Sequence, residues 1–237
     1  MIEIPTTTAI FTIGFLMATQ NGVLGGMFPS VGEKHSNVQG TYWQGSTFAG
    51  SCLLQDYQST SSLHYVAVAN DLNRDGKYCG ACIKITPLAT SLPPVVAIVS
   101  TYCADCPAGA LDMEGSLYDS LMTNKPGRPG VSKFNWEVTP CPLGNKRPAI
   151  VNKSGSSKYH LSMLIADSKF PVASVVISSG GRDYQAIHKD YNYWELSSSP
   201  ALGNTVDVKV TCTNGGSFSV KGVDPSSRSP TLAQGSC

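Results

Sequence analysis

Charge is scarce in this chain: only 14% of its 237 residues are Asp, Glu, Lys or Arg, and the net charge is +1. Without a basic cluster, nucleic-acid binding has no electrostatic support. Long apolar runs are lacking too, and none reaches the roughly 18 residues of a membrane-spanning helix. No internal repeat is visible. Tryptophan occurs three times and aromatic residues make up 8%, so each exposed ring becomes a candidate for function. The 41% of hydrophobic residues are nonetheless enough for a core in one large or two small domains.

The N-terminus holds an apolar run, Ala9-Ile10-Phe11-Thr12-Ile13-Gly14-Phe15-Leu16-Met17-Ala18, of the length of a signal-peptide core. Residues 1–20 are read as a signal peptide of a secreted protein, although Glu3 stands where such a leader normally carries Lys or Arg. A buried N-terminal helix or strand is the alternative. Residues 21–37 are polar and glycine-containing and read as an N-terminal tail.

Eight cysteines, at 52, 79, 82, 103, 106, 141, 212 and 237, form an even set that, with the leader, points to disulfides in an oxidising compartment. Cys79-Gly-Ala-Cys82 and Cys103-Ala-Asp-Cys106 also have a spacing near that of zinc ribbons. Cys52 and Cys141 flank the set and weigh against zinc, so no metal or cofactor is expected. Pairing among the first six stays open, while Cys212 and Cys237 most simply pair together.

Short β-branched runs follow one another at Tyr65–Ala69, Cys82–Thr86, Val95–Val99 and Phe134–Val138. Gly, Pro and Ser separate them, the pattern of a small β-barrel over residues 38–141. One helix is expected in Ser116–Met122, where Met113, Leu117 and Leu121 recur at helical spacing. Residues 142–147 read as a linker. Beyond it, strands at Tyr159–Ile165, Ala173–Ile177 and Val206–Cys212, with turns at Ser179-Gly180-Gly181 and Asn214-Gly215-Gly216, predict an all-β unit of sandwich size over 148–237. Basic and acidic residues number six against eight in 38–145 and ten against six in 146–237, so the second half is mildly basic.

Five motifs in order, Gly40-Thr41-Tyr42-Trp43, Cys79-Gly80-Ala81-Cys82, Gly109-Ala110-Leu111-Asp112-Met113, Lys169-Phe170-Pro171-Val172 and Asp190-Tyr191-Asn192-Tyr193-Trp194, together resemble the microbial expansins. The resemblance implies an all-β protein: a six-stranded double-psi β-barrel followed by an immunoglobulin-like β-sandwich that binds carbohydrate. It implies a function in nonhydrolytic loosening of cell walls.

Carried onto this sequence, the resemblance makes Asp112 the acid on which wall loosening depends, also matching the general acid of the related family 45 endoglucanases. Thr41 would face the same groove and orient Asp112 or bond a sugar. The hydrolases carry their catalytic base just after Tyr-Trp, where this chain has Gln44. Glutamine cannot take a proton from water, so an inverting hydrolysis lacks its second carboxylate. Many relatives place an Asp at Thr101. Asp105, inside the cysteine turn, is a candidate substitute, but Asp is also a routine turn former. The alternative reading of Asp112 is a helix N-cap. Trp43 and Tyr102 are candidates to line the groove, with core packing an equal account of Trp43.

Polysaccharide binders bury the CH face of a sugar on flat aromatic rings. In the second unit the matching positions are Tyr159, His160 and Tyr191, with Trp194 as a further source of apolar area. Alternation sends Tyr191 and Tyr193 to one face and Trp194 to the other, and Tyr191 with Tyr159 is the favoured pair. The expected partners are cellulose, xyloglucan, pectin or peptidoglycan, with no nucleic acid, no membrane after leader removal and a monomeric state. Two other functions remain open: a weak endoglucanase or lytic transglycosylase, and a chitin-binding or protease-inhibiting protein like barwin and kiwellin.

Overall fold

The computed structural model describes residues 28–44, 50–57, 63–72, 74–124, 127–198 and 201–237. The expected signal peptide, and residues 21–27 of the expected tail, lie outside the described residues.

Six strands close into a barrel: β1 (Lys34–Trp43), β2 (His64–Ala69), β3 (Cys82–Pro87), β4 (Val95–Cys103), β5 (Leu111–Glu114) and β6 (Ser132–Thr139). Their order around the barrel is β1-β5-β2-β4-β3-β6. The pairs β1 with β5 and β2 with β4 are parallel and the others antiparallel. Val66 and Val68 of β2, Ile83 and Ile85 of β3, Leu111 and Met113 of β5, and Phe134 and Trp136 of β6 fill the interior, the alternation a closed barrel requires. Helix α1 (Gly115–Met122) buries Leu117, Tyr118 and Leu121 against it.

Strand β1 begins at Lys34, ahead of the expected Val38. The pairing register shifts between His35 and Val38, where Asn37 has φ 55°, as in a β-bulge. His35 then pairs with Trp136 and stacks on its ring at 4.0 Å. The bulge breaks the apolar alternation, which is why Lys34-His35-Ser36-Asn37 looks like tail.

The second unit has two sheets. One, ordered β10-β9-β13-β14, contains β9 (Val172–Ser179), β10 (Arg182–Gln185), β13 (Val206–Cys212) and β14 (Ser217–Val223). The other, ordered β11-β12-β8-β7-β15, contains β7 (Ala149–Asn152), β8 (His160–Ala166), β11 (Ile187–His188), β12 (Tyr193–Ser197) and β15 (Thr231–Leu232). Leu161, Met163 and Trp194 meet Val175, Ile177, Val208 and Val210 between them.

The eight cysteines form four disulfides: Cys52–Cys79, Cys82–Cys141, Cys103–Cys106 and Cys212–Cys237. The two CxxC pairs therefore do not act as a zinc ribbon, because no thiolate is left to bind metal. Cys82–Cys141 closes a loop with a sequence separation of 59 and joins β3 to the chain leaving the barrel. Loop-closure entropy favours such long loops, so a Cys82→Ala/Cys141→Ser variant is expected to lose about 4 kcal/mol in urea unfolding. Opening Cys103–Cys106, with a separation of 3, is expected to cost about half as much.

The barrel grips the second unit through two loops. Tyr193 donates its hydroxyl to Asp56 at 2.7 Å, and the Asn192 amide donates to the Cys52 carbonyl at 3.3 Å. Leu53 and Tyr57 pack on the cluster formed by Val151, Leu164 and Tyr193. His188 sits at this junction against Trp194 and Phe28. Burial drives its pKa down to about 4, against the opposing pull of Asp75 and Asp190. The unfolded chain takes up this proton near pH 6.5 and the folded one only near 4, so stability falls as pH drops through that window. The thermal midpoint is expected to fall from pH 7 to pH 4 by the equivalent of up to about 3 kcal/mol, and His188→Gln to flatten that slope.

Candidate functional site

Strand register assembles the first candidate site. Thr41 of β1 lies opposite Asp112 of β5, Asp112 opposite Ala67 of β2, and Ala67 opposite Thr101 of β4. Their neighbours Leu111, Met113, Val66 and Val68 point into the core, so alternation turns Thr41, Asp112 and Ala67 outward. The Thr41 hydroxyl donates to Asp112 Oδ1 at 2.6 Å, within the range of a charge-assisted bond to a carboxylate. Thr101 accepts the Ser51 backbone N–H at 3.2 Å and lies 3.1 Å from its hydroxyl.

Asp112 is not a helix N-cap. It lies inside β5, and the N-cap of α1 is Glu114, which makes no capping bond. Gln44 follows β1 directly and is exposed. Tyr102 occupies the next register position on β4, opposite Val68, and Asp105 is exposed in the turn closed by Cys103–Cys106. Among the described residues no hydrogen bond joins either of them to Asp112. Trp43 is partly buried and pairs with Glu114.

Sequence reasoning passed over Glu114 and His64. Glu114 is buried, its side chain 5% exposed, and its Oε1 lies 2.6 Å from His64 Nδ1 and 3.1 Å from the Ser116 hydroxyl that donates to it. Asp112-Met113-Glu114 is an acid pair at spacing two, which puts both carboxylates on one face of a strand. The acid pair is visible in the sequence, but four residues directly ahead of a helix are too few to show a strand period.

The second candidate surface is the outer face of the five-stranded sheet. Tyr191 donates its hydroxyl to Glu195, and Ser162 donates to Glu195 at 3.1 Å. The next pair along is His160 with Ser197, in contact at 3.2 Å. Lys153 sits over the Tyr191 ring at 4.2 Å. Burial raises the Glu195 pKa, but the bonds from Tyr191 and Ser162 and the charge of Lys189 outweigh it, so it is lowered overall. The same bond to Glu195 pushes the Tyr191 hydroxyl up to about 12. Tyr159, the residue before β8, is 61% exposed beneath Lys158.

Trp194 does not belong to this surface. It is 4% exposed and packs inside the sandwich core, because its position in β12 alternates against Tyr193 and Glu195. Tyr193 faces outward but is covered by the barrel. Among the described residues, no group of three or more His, Cys, Asp or Glu is arranged to hold a metal ion.

No family model matches the chain. Expansin-like protein 1 of Dictyostelium discoideum is 26% identical over 189 residues, covering 76% of this chain and 64% of that protein. The chain thus spans under two thirds of that relative's length. An apo expansin of Clavibacter michiganensis superposes with a TM-score of 0.71 at 19% identity, over 86% of this chain and 98% of its own. The chain carries an expansin-like double-psi barrel. A point mutant of the Clavibacter protein, in complex with cellohexaose, superposes with a TM-score of 0.69 at 20% identity over the same shares. The Thr41–Asp112 pair thus lies on the outer face of an expansin-like barrel.

Proposed function

We propose that this is a secreted protein that binds cellulose and matrix glycans and loosens cell walls without hydrolysing them. The observation that carries the reading is Asp112 held by Thr41, with an exposed Gln44 where the related hydrolases carry their base. A positioned carboxylate can grip a sugar hydroxyl, whereas inverting hydrolysis needs a second one open to water, and the other acid of this strand, Glu114, is buried and bonded to His64 and Ser116. A cellohexaose complex of a structurally similar expansin and four disulfides suited to an oxidising compartment support it.

In this reading the second unit is an immunoglobulin-like carbohydrate-binding module. Tyr159, His160 and Tyr191 hold the chain face of a crystalline polymer, and the barrel groove takes a single strand. Residues 50–57 link the two surfaces: Ser51 contacts Thr101 beside the groove, and Asp56 holds Tyr193 under the sheet. Gly50 allows that close return, since a side-chain carbon there would lie 2.3 Å from the Ser100 carbonyl.

The test is creep of a heat-inactivated plant wall strip under constant load, with reducing sugar assayed in the same bath. Extension without sugar release supports the reading. Sugar release in step with extension would make the protein a glycosidase, and no extension would leave it a binding protein.

A further inference from the structure

The barrel face that carries Asp112 continues past it. Asp112 and Glu114 share one side of β5, roughly 7 Å apart at the rise of a strand, which is on the scale of one sugar unit. Glu114 pairs with Trp43 on β1 and meets His64 from the start of β2. A buried carboxylate is costly unless paired, and His64 Nδ1 and the Ser116 hydroxyl supply the partners. With Nδ1 engaged, the opposite edge of the ring carries Nε2, and the His64 side chain is 34% exposed. Ser116 meets the same Nδ1 side at 3.4 Å, so the three do not form a nucleophilic triad, in which the hydroxyl bonds the other nitrogen. What they form is a fixed polar group beside an indole, the composition of a sugar-binding patch.

The charge of this face is one-sided. Asp112 and Glu114 are its acids. The ion pair of Asp119 with Arg128, at 2.6 Å and with the guanidinium over Tyr42 at 4.0 Å, adds no net charge to it.

Resting on the reading that this groove holds a glycan strand, we propose that Trp43, His64, Glu114 and Ser116 form a second sugar subsite beside Thr41 and Asp112, and that the groove selects neutral glycans over polyuronates. His64 Nε2 exchanges a hydrogen bond with a sugar hydroxyl, Trp43 covers the CH face, and the two groove carboxylates repel a uronate.

Calorimetric titration with cellohexaose and with hexagalacturonate tests this, using the full chain in a Tyr159→Ala/Tyr191→Ala background that silences the sheet face. Cellohexaose is expected to bind and hexagalacturonate not. His64→Ala is expected to weaken cellohexaose about tenfold, the worth of one oriented hydrogen bond. Glu114→Gln keeps a bond to the ring without the charge, so it guards against misfolding of His64→Ala and is expected to admit hexagalacturonate. If Thr41→Val loses cellohexaose while His64→Ala and Glu114→Gln behave as the parent, the subsite is wrong and the groove reading stands. Equal binding of both oligosaccharides by the parent overturns the selectivity, and binding of neither overturns groove and subsite together.

Discussion

Asp112→Asn is expected to abolish wall extension, reducing creep to below about a tenth of wild type, while adsorption to cellulose stays intact. The substitution is nearly isosteric, and the Asn carbonyl can still accept from Thr41, so folding should be preserved and the loss attributable to the carboxylate. What disappears is the charge: a carboxylate bonds a sugar hydroxyl about twice as strongly as a neutral amide oxygen does. Thr41→Val removes the 2.6 Å bond that orients the acid but leaves the acid itself. A partial loss of a few fold is therefore expected, since a net hydrogen bond is worth about 1 kcal/mol. The sheet surface around Tyr159 and Tyr191 is untouched by either change, so cellulose pull-down provides the internal control. Undiminished creep by Asp112→Asn would remove the barrel acid from the mechanism and move the activity to the sheet.

How much of this was legible in the sequence depended on how local the cause was. Val206–Cys212 alternates cleanly and is β13 at the bounds expected from the pattern alone. The one helix also emerged where its four-residue spacing predicts, because Leu117, Tyr118 and Leu121 face the core. The four-residue β5 was not recognised: Leu111-Asp112-Met113-Glu114 is too short to declare a period, and its strand character comes from being flanked by β1 and β2. That miss hid Glu114, and His64 with it, since the two partners lie fifty residues apart in the chain. The resemblance to expansins set Thr41 beside Asp112, as the β1–β5 pairing does, because it encodes the barrel register that composition does not. Trp194 shows the converse: an aromatic cluster is legible, but which ring meets solvent depends on strand phase and on what the barrel covers.

Gly76→Val is expected to be the most damaging single substitution away from the groove, costing about 2–4 kcal/mol. Gly76 has φ +69°, and a side-chain carbon there would lie 2.6 Å from the Asp190 carbonyl oxygen and 2.8 Å from that of Lys189. A β-branched residue meets both costs at once, a left-handed backbone and a clash with main chain that cannot rotate away. The neighbouring contacts make retreat expensive, because Asn192 is bonded to Cys52 and Tyr193 to Asp56, and Cys52 is tied by its disulfide to Cys79, three residues beyond Gly76. The 189–193 turn is therefore held from both sides by the barrel, and relief comes only by parting the two units. Calorimetry should then show two separated transitions in place of one, with cellulose adsorption retained and wall creep lost. That combination would mean that loosening requires groove and sheet to be held together, whereas an unchanged single transition would show that this contact yields without consequence.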